Sequence, residues 1–400
     1  MPERWKEINL KDYIIALESG KRPKGGAVDN GVPSLGGEHI NGLGGFNIEP
    51  NKLKYVPREF YEKMKSGIIK KNDILIVKDG ATTGKIAFVD SNFILREACI
   101  NEHVFLLRTS EVLHNKFLTY YLRSNMGQQQ ILNDFRGATV GGISKDFVNF
   151  NMLLPPLETQ KKIVRILEKA ERALEKKKEV SRLLDEYLKS VFVEMFGDPQ
   201  YNKFMWTVAT LGNICTFIKD GPHVSPKYVE SGIPFISVNN IINGEWDFTN
   251  VRYISREDYE IFSKRCKPEY GDVLYTKGGT TGFAKYIDID IEFSNWVHLA
   301  VLKYDKSKIN GIFLERMLNT SYCYAQSQRY TRGIANRDLV LSQMKRIKVF
   351  IPPIELQNKF ADIVCRVKAF KVKNSKSRIQ LENLFNSLMQ KAFRGELEFN

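Results

Sequence analysis

The chain has 400 residues and a formal net charge of +14, with 43% hydrophobic and 26% charged residues. These values exclude disordered and fibrous proteins and predict more than one domain, because one hydrophobic core rarely serves so long a chain. The excess of cations favours a polyanionic partner such as nucleic acid, although a basic protein without such a partner would have the same composition.

Several classes of protein are disfavoured by what the sequence lacks. No run approaches the roughly 18–20 apolar residues that a membrane span requires, and the charged start does not resemble a signal peptide. The five cysteines are scattered and form no C-x-x-C pair, which argues against a disulfide frame or a zinc site and favours a reducing compartment. We therefore expect a cytoplasmic protein that contacts no membrane and holds no metal ion or other cofactor.

The strongest pattern is an internal repeat at an offset of about 200 residues. The segment NDILIVKDGATTGKIAFVD at 72–90 returns as GDVLYTKGGTTGFAKYID at 271–288. The segment LLPPLETQKKIV at 153–164 returns as FIPPIELQNKFA at 350–361. One unit of about half the chain has therefore been duplicated.

Each copy begins with about 150 residues that we predict to be an α+β globule. Short β-rich runs, such as Asp73–Val77 and Asp272–Thr276, are bounded by Gly, Asn and Pro turn signals. One helix is expected after them, near 115–130 and again near 311–327. The Pro-Pro pair of each copy then ends the globule and predicts the start of a second helix.

After each Pro-Pro pair, apolar residues recur at heptad spacing over about 38 residues, or about 57 Å of helix. This length favours a coiled coil over two separate amphipathic helices, each packed on its own domain, which remains the alternative. A duplicated globule-plus-helix closes most simply as a pseudo-twofold object with antiparallel helices. The predicted a positions are Ile163, Ala170, Lys177, Leu184 and Val191 in the first helix and Phe360, Val367, Asn374, Leu381 and Leu388 in the second. The predicted d positions are Ile166, Ala173, Val180, Tyr187, Ile363, Phe370, Ser377 and Leu384.

Loops rich in glycine, hydroxyl groups and cations are the candidate binding site. A Gly-Thr loop follows the β run of each copy, at Lys78–Lys85 and Lys277–Gly282, and a further loop precedes the Gly-x-Pro strand, at Gly20–Gly26 and Asp220–Lys227. Glycine allows close backbone approach, while cations and hydroxyl groups suit phosphates or base edges. A tight turn without a ligand would have the same composition, so both interpretations of the Gly-Thr loops stay open. The candidate DNA-binding residues are Lys21, Arg22, Lys24, Lys78, Thr82, Thr83, Lys85, Arg136, His223, Lys227, Lys277, Thr280, Thr281, Arg332 and Arg337.

No catalytic set emerges from the sequence. The Asn/Asp-Pro-Pro-aromatic tetrad that would hold an extruded base is missing, no G-x-G-x-x-G follows a strand, and the Gly-Thr loops lack the P-loop spacing. A nuclease site built on Asp73 and Lys78 would need paired acidic residues that the spacing does not supply. We therefore expect the chain to have no enzyme activity of its own.

Two divergent globules, each followed by P-P-[LI]-E-x-Q and a long helix, resemble the specificity (S) subunits of type I restriction–modification systems. The helices end in SVFVEMFGDP at 190–199 and SLMQKAFRGEL at 387–397, endings typical of that family's repeat helices. The stretch from Asp220-Gly221-Pro222-His223 to Gly232–Ser237 is similar to the opening of its target-recognition domains. The first copy departs from this pattern, with Ser19-Gly20-Lys21-Arg22 at the corresponding place.

The resemblance implies a non-catalytic subunit that recognises double-stranded DNA. Each recognition domain, at 1–154 and 199–351, would read one half of a bipartite asymmetric site. The long helices, at 155–198 and 352–400, would set the spacing and dock two modification subunits, which carry S-adenosylmethionine and methylate adenine; restriction subunits join for ATP-driven cleavage. A stand-alone S-adenosylmethionine-dependent DNA methyltransferase and a coiled-coil adaptor without a DNA role are the alternatives.

The missing catalytic motifs lead to a prediction for the isolated chain. Purified without partners, it will neither transfer a methyl group to DNA nor cut DNA, because it lacks the motifs that hold a cofactor or a reacting base. A methyl-transfer assay with labelled S-adenosylmethionine measures this, with a solitary DNA methyltransferase as the positive control. Turnover above that of a mock purification would contradict the prediction.

Overall fold

The computed structural model describes residues 5–137, 141–333 and 336–397, and the chain falls into two compact units. The first unit joins Met1–Glu179 to Ser375–Asn400, and the second is Val180–Asn374. Each unit therefore contains one globule of the repeat and half of each long helix. Among the helices in the described ranges, none is long and apolar enough to cross a membrane.

The strands of the first unit form three sheets. They are β1 (Lys6–Asn9), β2 (Ile14–Ser19), β3 (Val32–Leu35), β4 (Lys54–Val56), β5 (Ile74–Val77), β6 (Ile86–Phe88), β7 (Cys99–Ile100), β8 (Val104–Thr109) and β9 (Asn151–Leu154). One antiparallel sheet has the order β2-β8-β5-β6, a second has the order β4-β3-β7 with β3 and β7 parallel, and β1 pairs with β9.

The second unit repeats this topology. Its strands are β10 (Thr207–Thr210), β11 (Cys215–Asp220), β12 (Ile233–Ile236), β13 (Arg252–Ile254), β14 (Val273–Thr276), β15 (Ala284–Tyr286), β16 (Ser294–Asn295), β17 (Leu299–Tyr304) and β18 (Lys348–Ile351). The sheets have the orders β11-β17-β14-β15 and β13-β12-β16, and β10 pairs with β18. The duplicated α+β fold predicted from the sequence is therefore confirmed.

The centre of each four-stranded sheet is the β run predicted from the sequence, and every residue of β5 and β14 is buried. In β5, Ile74 and Ile76 lie in one core cluster, whereas Leu75 and Val77 lie in another. Successive side chains of a strand point to opposite faces. A sheet that is covered on both faces therefore needs an unbroken apolar run rather than an alternating one.

The helices complete each unit. The α-helices are α1 (Arg58–Glu62), α2 (Asn115–Arg123), α3 (Asn125–Asn133), α4 (Leu157–Phe196), α5 (Leu211–Ile214), α6 (Arg256–Ser263), α7 (Gly311–Leu318), α8 (Ser321–Tyr330), α9 (Leu341–Met344) and α10 (Ile354–Arg394). Short 3-10 helices lie at Leu10–Tyr13, Gly37–His39, Pro50–Lys52, Lys145–Val148 and Val238–Asn240.

The single helix expected after each sheet is in fact two short helices, so that prediction is wrong. Ser124 ends α2 and caps α3, since its hydroxyl accepts the N–H of Gly127 at 3.2 Å. Thr320 plays the same part before α8, where its hydroxyl accepts the N–H of Cys323 at 3.4 Å. Serine and threonine in this position satisfy the free N–H groups of a new helix start, so the chain changes direction there.

A buried glutamine anchors the start of each long helix to its globule. Gln160 is fully buried, and its Oε1 accepts the N–H of His114 at 2.8 Å. Its Nε2 donates to the carbonyl oxygens of Val112 and Pro155, both at 2.9 Å. Gln357 makes the corresponding three bonds at 2.8–3.1 Å. The P-P-x-E-x-Q spacing therefore places an amide one turn into the helix, where it pairs loop groups that have no strand partner.

The halves of α4 and α10 pack antiparallel within each unit, as predicted. In the first unit, Ile163 near the start of α4 shares a buried core with Phe393 near the end of α10. In the second unit, Phe192 near the end of α4 contacts Phe360 near the start of α10, with ring centroids 5.5 Å apart. The alternative of two helices that pack only on their own domains is therefore excluded, because each helix ends in the core of the other copy's globule.

The face that the helices bury differs from the predicted heptad seam. At the predicted d positions, Tyr187, Phe370 and Leu384 are each about half exposed, so they do not form the second line of the seam. That line instead lies four residues after the a positions, at Leu167, Leu188, Val364, Phe385 and Ala392. Each helix also packs on a globule, which widens its apolar face beyond a coiled-coil stripe. Of the a positions, Ile163, Val191, Phe360, Val367 and Asn374 are buried, and Ala170, Lys177, Leu184, Leu381 and Leu388 are half-buried.

The anchoring glutamine leads to a stability prediction. Replacing Gln160 with leucine leaves the N–H of His114 and two carbonyl oxygens unpaired in a buried place. We expect the free energy of unfolding to fall by about 1–3 kcal/mol, measured by urea denaturation. The control is Glu158→Gln, a substitution two residues away on an exposed side chain. A loss no larger than that of the control would contradict the anchoring role.

Candidate functional site

Main-chain hydrogen bonds hold two loops side by side in the first unit. The Gly-Thr loop connects β5 to β6, and the second loop, described at 134–137 and 141–144, follows α3. Ile143 donates its N–H to the carbonyl oxygen of Lys78 at 2.7 Å, and Arg136 exchanges two bonds of 2.9 Å with Gly142. The candidate residues on these two neighbouring loops are Lys78, Thr82, Thr83, Lys85 and Arg136.

The second unit has the same loop pair. Leu339 donates its N–H to the carbonyl oxygen of Lys277 at 2.7 Å, and Gly279 donates to that of Arg337 at 3.0 Å. The main chain of Arg332 exchanges two bonds of 2.9 Å with Asp338. Loops more than 50 residues apart in sequence are thus one surface, which we call the loop pair. Its candidate residues are Lys277, Thr280, Thr281, Arg332 and Arg337.

In each unit, a glycine directly after the edge strand, β2 or β11, connects the sheet to the remaining candidate loop. A Cβ atom on Gly20 would lie 2.1 Å from the carbonyl oxygen of Ile100, and one on Gly221 would lie 1.9 Å from that of Asn295. A glycine is therefore required at both places for the chain to pass. The candidate residues of the loops that follow are all exposed, and they are Lys21, Arg22, Lys24, His223 and Lys227.

The threonine hydroxyls of the Gly-Thr loops mainly serve the turns. Thr83 donates its hydroxyl to the carbonyl oxygen of Gly80 at 2.7 Å, and the hydroxyl of Thr281 lies 3.0 Å from that of Thr331. Thr281 is also buried, whereas Thr280 is exposed. These contacts favour the turn interpretation for Thr83 and Thr281, whereas the exposed Thr280 can still face a ligand.

The corresponding lysines of the two Gly-Thr loops differ in their charge partners. Lys78 Nζ lies 3.9 Å from a carboxylate oxygen of Asp79, and its side chain is 25% exposed. Lys277 Nζ lies 3.5 Å from Asp220 and 3.1 Å from Asp338, and its side chain is only 8% exposed. The charge of Lys277 is thus offset by two carboxylates of its own unit, whereas Lys78 has one carboxylate at a longer distance and a more exposed side chain.

Asp220 lies at the centre of a charge cluster in the second unit. Its side chain is 4% exposed, accepts a hydrogen bond from Arg265 Nη2 at 2.6 Å and lies 3.3 Å from His223 Nε2. Burial alone would raise the pKa of Asp220, but the hydrogen bond from Arg265 and the charge of Lys277 lower this pKa below its usual value. Asp220 is therefore ionised at neutral pH and holds these side chains together. The Asp220 cluster consists of Asp220, His223, Arg265, Lys277 and Asp338.

Three polar residues at these surfaces were missed by the sequence analysis. Arg265 follows α6 and joins the site only through Asp220, a contact with no local sequence signal. His103 and His298 precede β8 and β17, and their carbonyl oxygens accept the N–H groups of Lys78 at 2.9 Å and Lys277 at 2.8 Å. Extending the repeat alignment through the last strand of each sheet would have paired the two histidines and identified them as candidates.

The chemistry of the site is that of recognition through hydrogen bonds and charge. Within the described ranges, no group of three or more His, Cys, Asp or Glu side chains could hold a metal ion, and all five cysteines are free. Burial raises the pKa of the thiols of Cys215, Cys266 and Cys323 to about 12, which keeps them protonated and unreactive.

Comparison with known proteins gives one consistent result. Residues 2–181 and 205–383 each match the family model described as "Type I restriction modification DNA specificity domain". The chain is 21% identical over 419 residues to the type I restriction enzyme MjaVIII specificity subunit of Methanocaldococcus jannaschii, covering 99% of this chain and 94% of that protein. It is 20% identical over 438 residues to the type I restriction enzyme EcoKI specificity subunit of Escherichia coli K12, covering 99% of this chain and 90% of that protein.

Solved structures with the same fold cover the whole chain. The crystal structure of the S subunit of a type I restriction–modification system from M. genitalium has a TM-score of 0.56 at 17% identity and covers 100% of this chain and 98% of its own. A chain from work on complex assembly and conformational transition of the type I R-M system has a TM-score of 0.57 at 19% identity and covers 99% of both chains. At such identities these structures establish the shared fold.

Proposed function

Because the chain belongs to the family of type I restriction–modification DNA specificity domains, we propose that it is the non-catalytic DNA-recognition subunit of such an enzyme. The proposal is carried by two observations together: each copy matches the family model, and each unit has a loop pair that contains lysine and arginine. Glycine-rich turns next to lysine and arginine suit the grooves and phosphates of double-stranded DNA. The recognition domains span 1–154 and 199–351 in this proposal, and the helices span 155–198 and 352–400.

Each recognition domain reads one half of a bipartite, asymmetric site. The two units share their backbone topology, but their exposed side chains differ at corresponding places. The exposed Arg22 lies two residues after the close-packed glycine of the first unit, whereas the exposed His223 lies two residues after that of the second. Base edges are distinguished by side-chain donors and acceptors, so two domains of this kind recognise two different short sequences.

The long helices dock the partner subunits in this proposal. Tyr187 and Phe370 in the second unit, and Leu384 in the first, are large apolar side chains about half exposed on helices that are otherwise strongly charged. Exposed apolar side chains on a helix are typical of an interface with another helix. We assign them to two modification subunits, which carry the S-adenosylmethionine chemistry; restriction subunits would join the same complex. The location would be cytoplasmic, where the DNA target lies.

A stand-alone DNA methyltransferase is the less favoured function. Leu154-Pro155-Pro156-Leu157 and Ile351-Pro352-Pro353-Ile354 contain Pro-Pro without the amide before it or the aromatic after it. The structure instead uses these prolines to end β9 and β18 and to start α4 and α10. Binding of S-adenosylmethionine by the isolated chain would favour this alternative.

Mapping of methylated adenines tests the proposed function. The chain and its modification subunits are expressed together in cells that lack other adenine methylation, and the genome is sequenced for methylated sites. We expect one bipartite motif whose two halves differ and are separated by unread bases. A second culture that expresses the modification subunits alone is the control. A single continuous motif, or methylation that does not depend on the chain, would contradict the proposal.

The helices lead to a prediction about the spacing of the two half-sites. Inserting four residues after Val180 advances α4 by about 6 Å and rotates it by about 40° beyond one turn. We expect either that the helix pairing breaks and methylation is lost, or that the unread spacer lengthens by about one or two base pairs while both half-site sequences persist. The second result follows because about 6 Å is close to two base-pair steps. A four-residue insertion after the exposed Tyr201 is the control. Methylation of the original spacer by the Val180 variant would contradict the ruler role.

The two site lysines lead to a prediction about salt dependence. Replacing Lys78 with glutamine should reduce the slope of log K against log salt concentration by about 1, because one phosphate contact is lost. Replacing Lys277 with glutamine should leave the slope unchanged and lower the thermal stability, since two carboxylates already offset its charge. Titration of the reconstituted complex with target DNA at several salt concentrations measures both. Equal slopes for the two variants would contradict this division of roles.

A further inference from the structure

The Asp220 cluster of the second unit holds one arginine in a defined position. Arg265 Nη2 donates to Asp220 Oδ1 at 2.6 Å, and Arg265 Nε donates to the main-chain oxygen of the same residue at 3.3 Å. Asp220 is itself buried at the end of β11, next to the close-packed Gly221. The edge of the guanidinium group formed by Nε and Nη2 is therefore fixed by a rigid part of the sheet.

The main chain of Arg265 is equally well anchored. Its N–H donates to the carbonyl oxygen of Phe262 at 3.0 Å, at the end of α6. The next residue, Cys266, is buried, and its thiol contacts the carbonyl oxygen of Lys219 at 3.5 Å. The side chain of Arg265 nevertheless remains 48% exposed. The arginine is thus held at both ends of its side chain while part of the guanidinium group faces solvent.

We propose that Arg265 reads a guanine in the half-site recognised by the second unit, with Asp220 as the residue that positions it. This inference rests on the proposed function. Arginine has five N–H donors. Asp220 accepts one from Nε and one from Nη2, and Nη2 also lies 3.3 Å from His223 Nε2, which leaves the two N–H groups of Nη1 for a ligand. Guanine presents two adjacent acceptors, O6 and N7, in the major groove, and the two N–H groups of Nη1 can donate to this edge.

The charges of the cluster favour a base over a phosphate. The two carboxylates of Asp220 and Asp338 balance the two cations of Arg265 and Lys277. A balanced cluster gains little from counterion release, which is the main source of phosphate affinity. The arginine is already ordered before DNA arrives, so less side-chain entropy is lost when it pairs with a base edge.

The first unit lacks this arrangement, which confines the proposal to one half-site. Ser19 occupies the place of Asp220 in the matching strand register, opposite Phe105 as Asp220 is opposite Ala300. The stretch between α1 and β5, which corresponds to that of Arg265, contains no arginine between Lys63 and Asp73. A substitution at Arg265 should therefore change one half-site and leave the other unaffected.

The experiment compares the methylated motifs of variants in the complete complex with its modification subunits. Arg265→Ala should weaken the preference of the complex for G·C at one base pair of one half-site, by about 5- to 150-fold. Arg265→Lys should weaken the preference at the same pair, because the single nitrogen of lysine cannot be held by Asp220 on one side and present a separate, fixed nitrogen to the base on the other. Asp220→Asn should weaken the preference for G·C at that pair less. Combining Asp220→Asn with Arg265→Ala should weaken the preference no further than Arg265→Ala alone, because both substitutions act on one contact.

Two controls separate failure of this inference from failure of the proposed function. Arg256→Ala removes an exposed arginine that pairs with Glu292 at 2.8 Å, outside the Asp220 cluster, and should leave the motif unchanged. If the unaltered complex methylates no bipartite motif, the proposed function itself is wrong. If it does, and Arg265→Ala and Arg265→Lys both methylate the unaltered motif, the guanine contact is wrong.

For variants that methylate too little DNA for their motif to be mapped, DNA binding is measured directly. Purified complexes with the original or substituted residue 265 are titrated with duplexes in which each G·C pair of the motif is replaced by A·T in turn. The unaltered complex should discriminate at a pair where Arg265→Lys does not, with equal melting temperatures for the two proteins. Discrimination that persists at every pair in Arg265→Lys would overturn the proposal.

Discussion

Each globule depends on a core that it cannot complete from its own copy of the repeat. Phe385, Met389 and Phe393 at the end of α10 lie in the core of the first unit, where the ring of Phe393 contacts those of Phe117 and Tyr121 at 5.3–5.4 Å between centroids. In the second unit, the end of α4 completes the core in the same way. The ring of Phe196 contacts that of Phe313 in α7, and the ring of Phe192 contacts that of Phe360 near the start of α10. Burial of such rings dominates the stability of a core, so the helices are part of both folds as well as a connection.

Because the long helices are held by these cores, the candidate binding loops are not needed to keep the helices in place. The loop pair of each unit is held by main-chain hydrogen bonds to the sheet, and these do not depend on side-chain identity. The strand topology is the same in both units while the exposed side chains have diverged, as in Arg22 against His223. A scaffold that tolerates such changes is suited to recognising many sequences.

Much of the fold could be predicted because its signals are periodic or local. The repeat, the apolar run of β5 and the Pro-Pro pair before each long helix are all visible in the sequence. The break between α2 and α3 was missed because Ser124 is one polar residue inside a helical pattern. The d positions were wrong because α4 and α10 pack on globules as well as on each other, and heptad spacing describes only the second of these contacts.

The sequence by itself determined that the chain is a duplicated α+β unit with long helices, and it identified the loops that carry the candidate residues, because periodicity and repetition are properties of the order of residues. Only the tertiary structure decided what each side chain in those loops can do. Lys78 and Lys277 occupy the same place in the repeat, yet Asp220 and Asp338 offset the charge of Lys277 alone. These carboxylates lie more than 50 residues away along the chain, and an electrostatic partner is set by distance in space rather than by position in sequence.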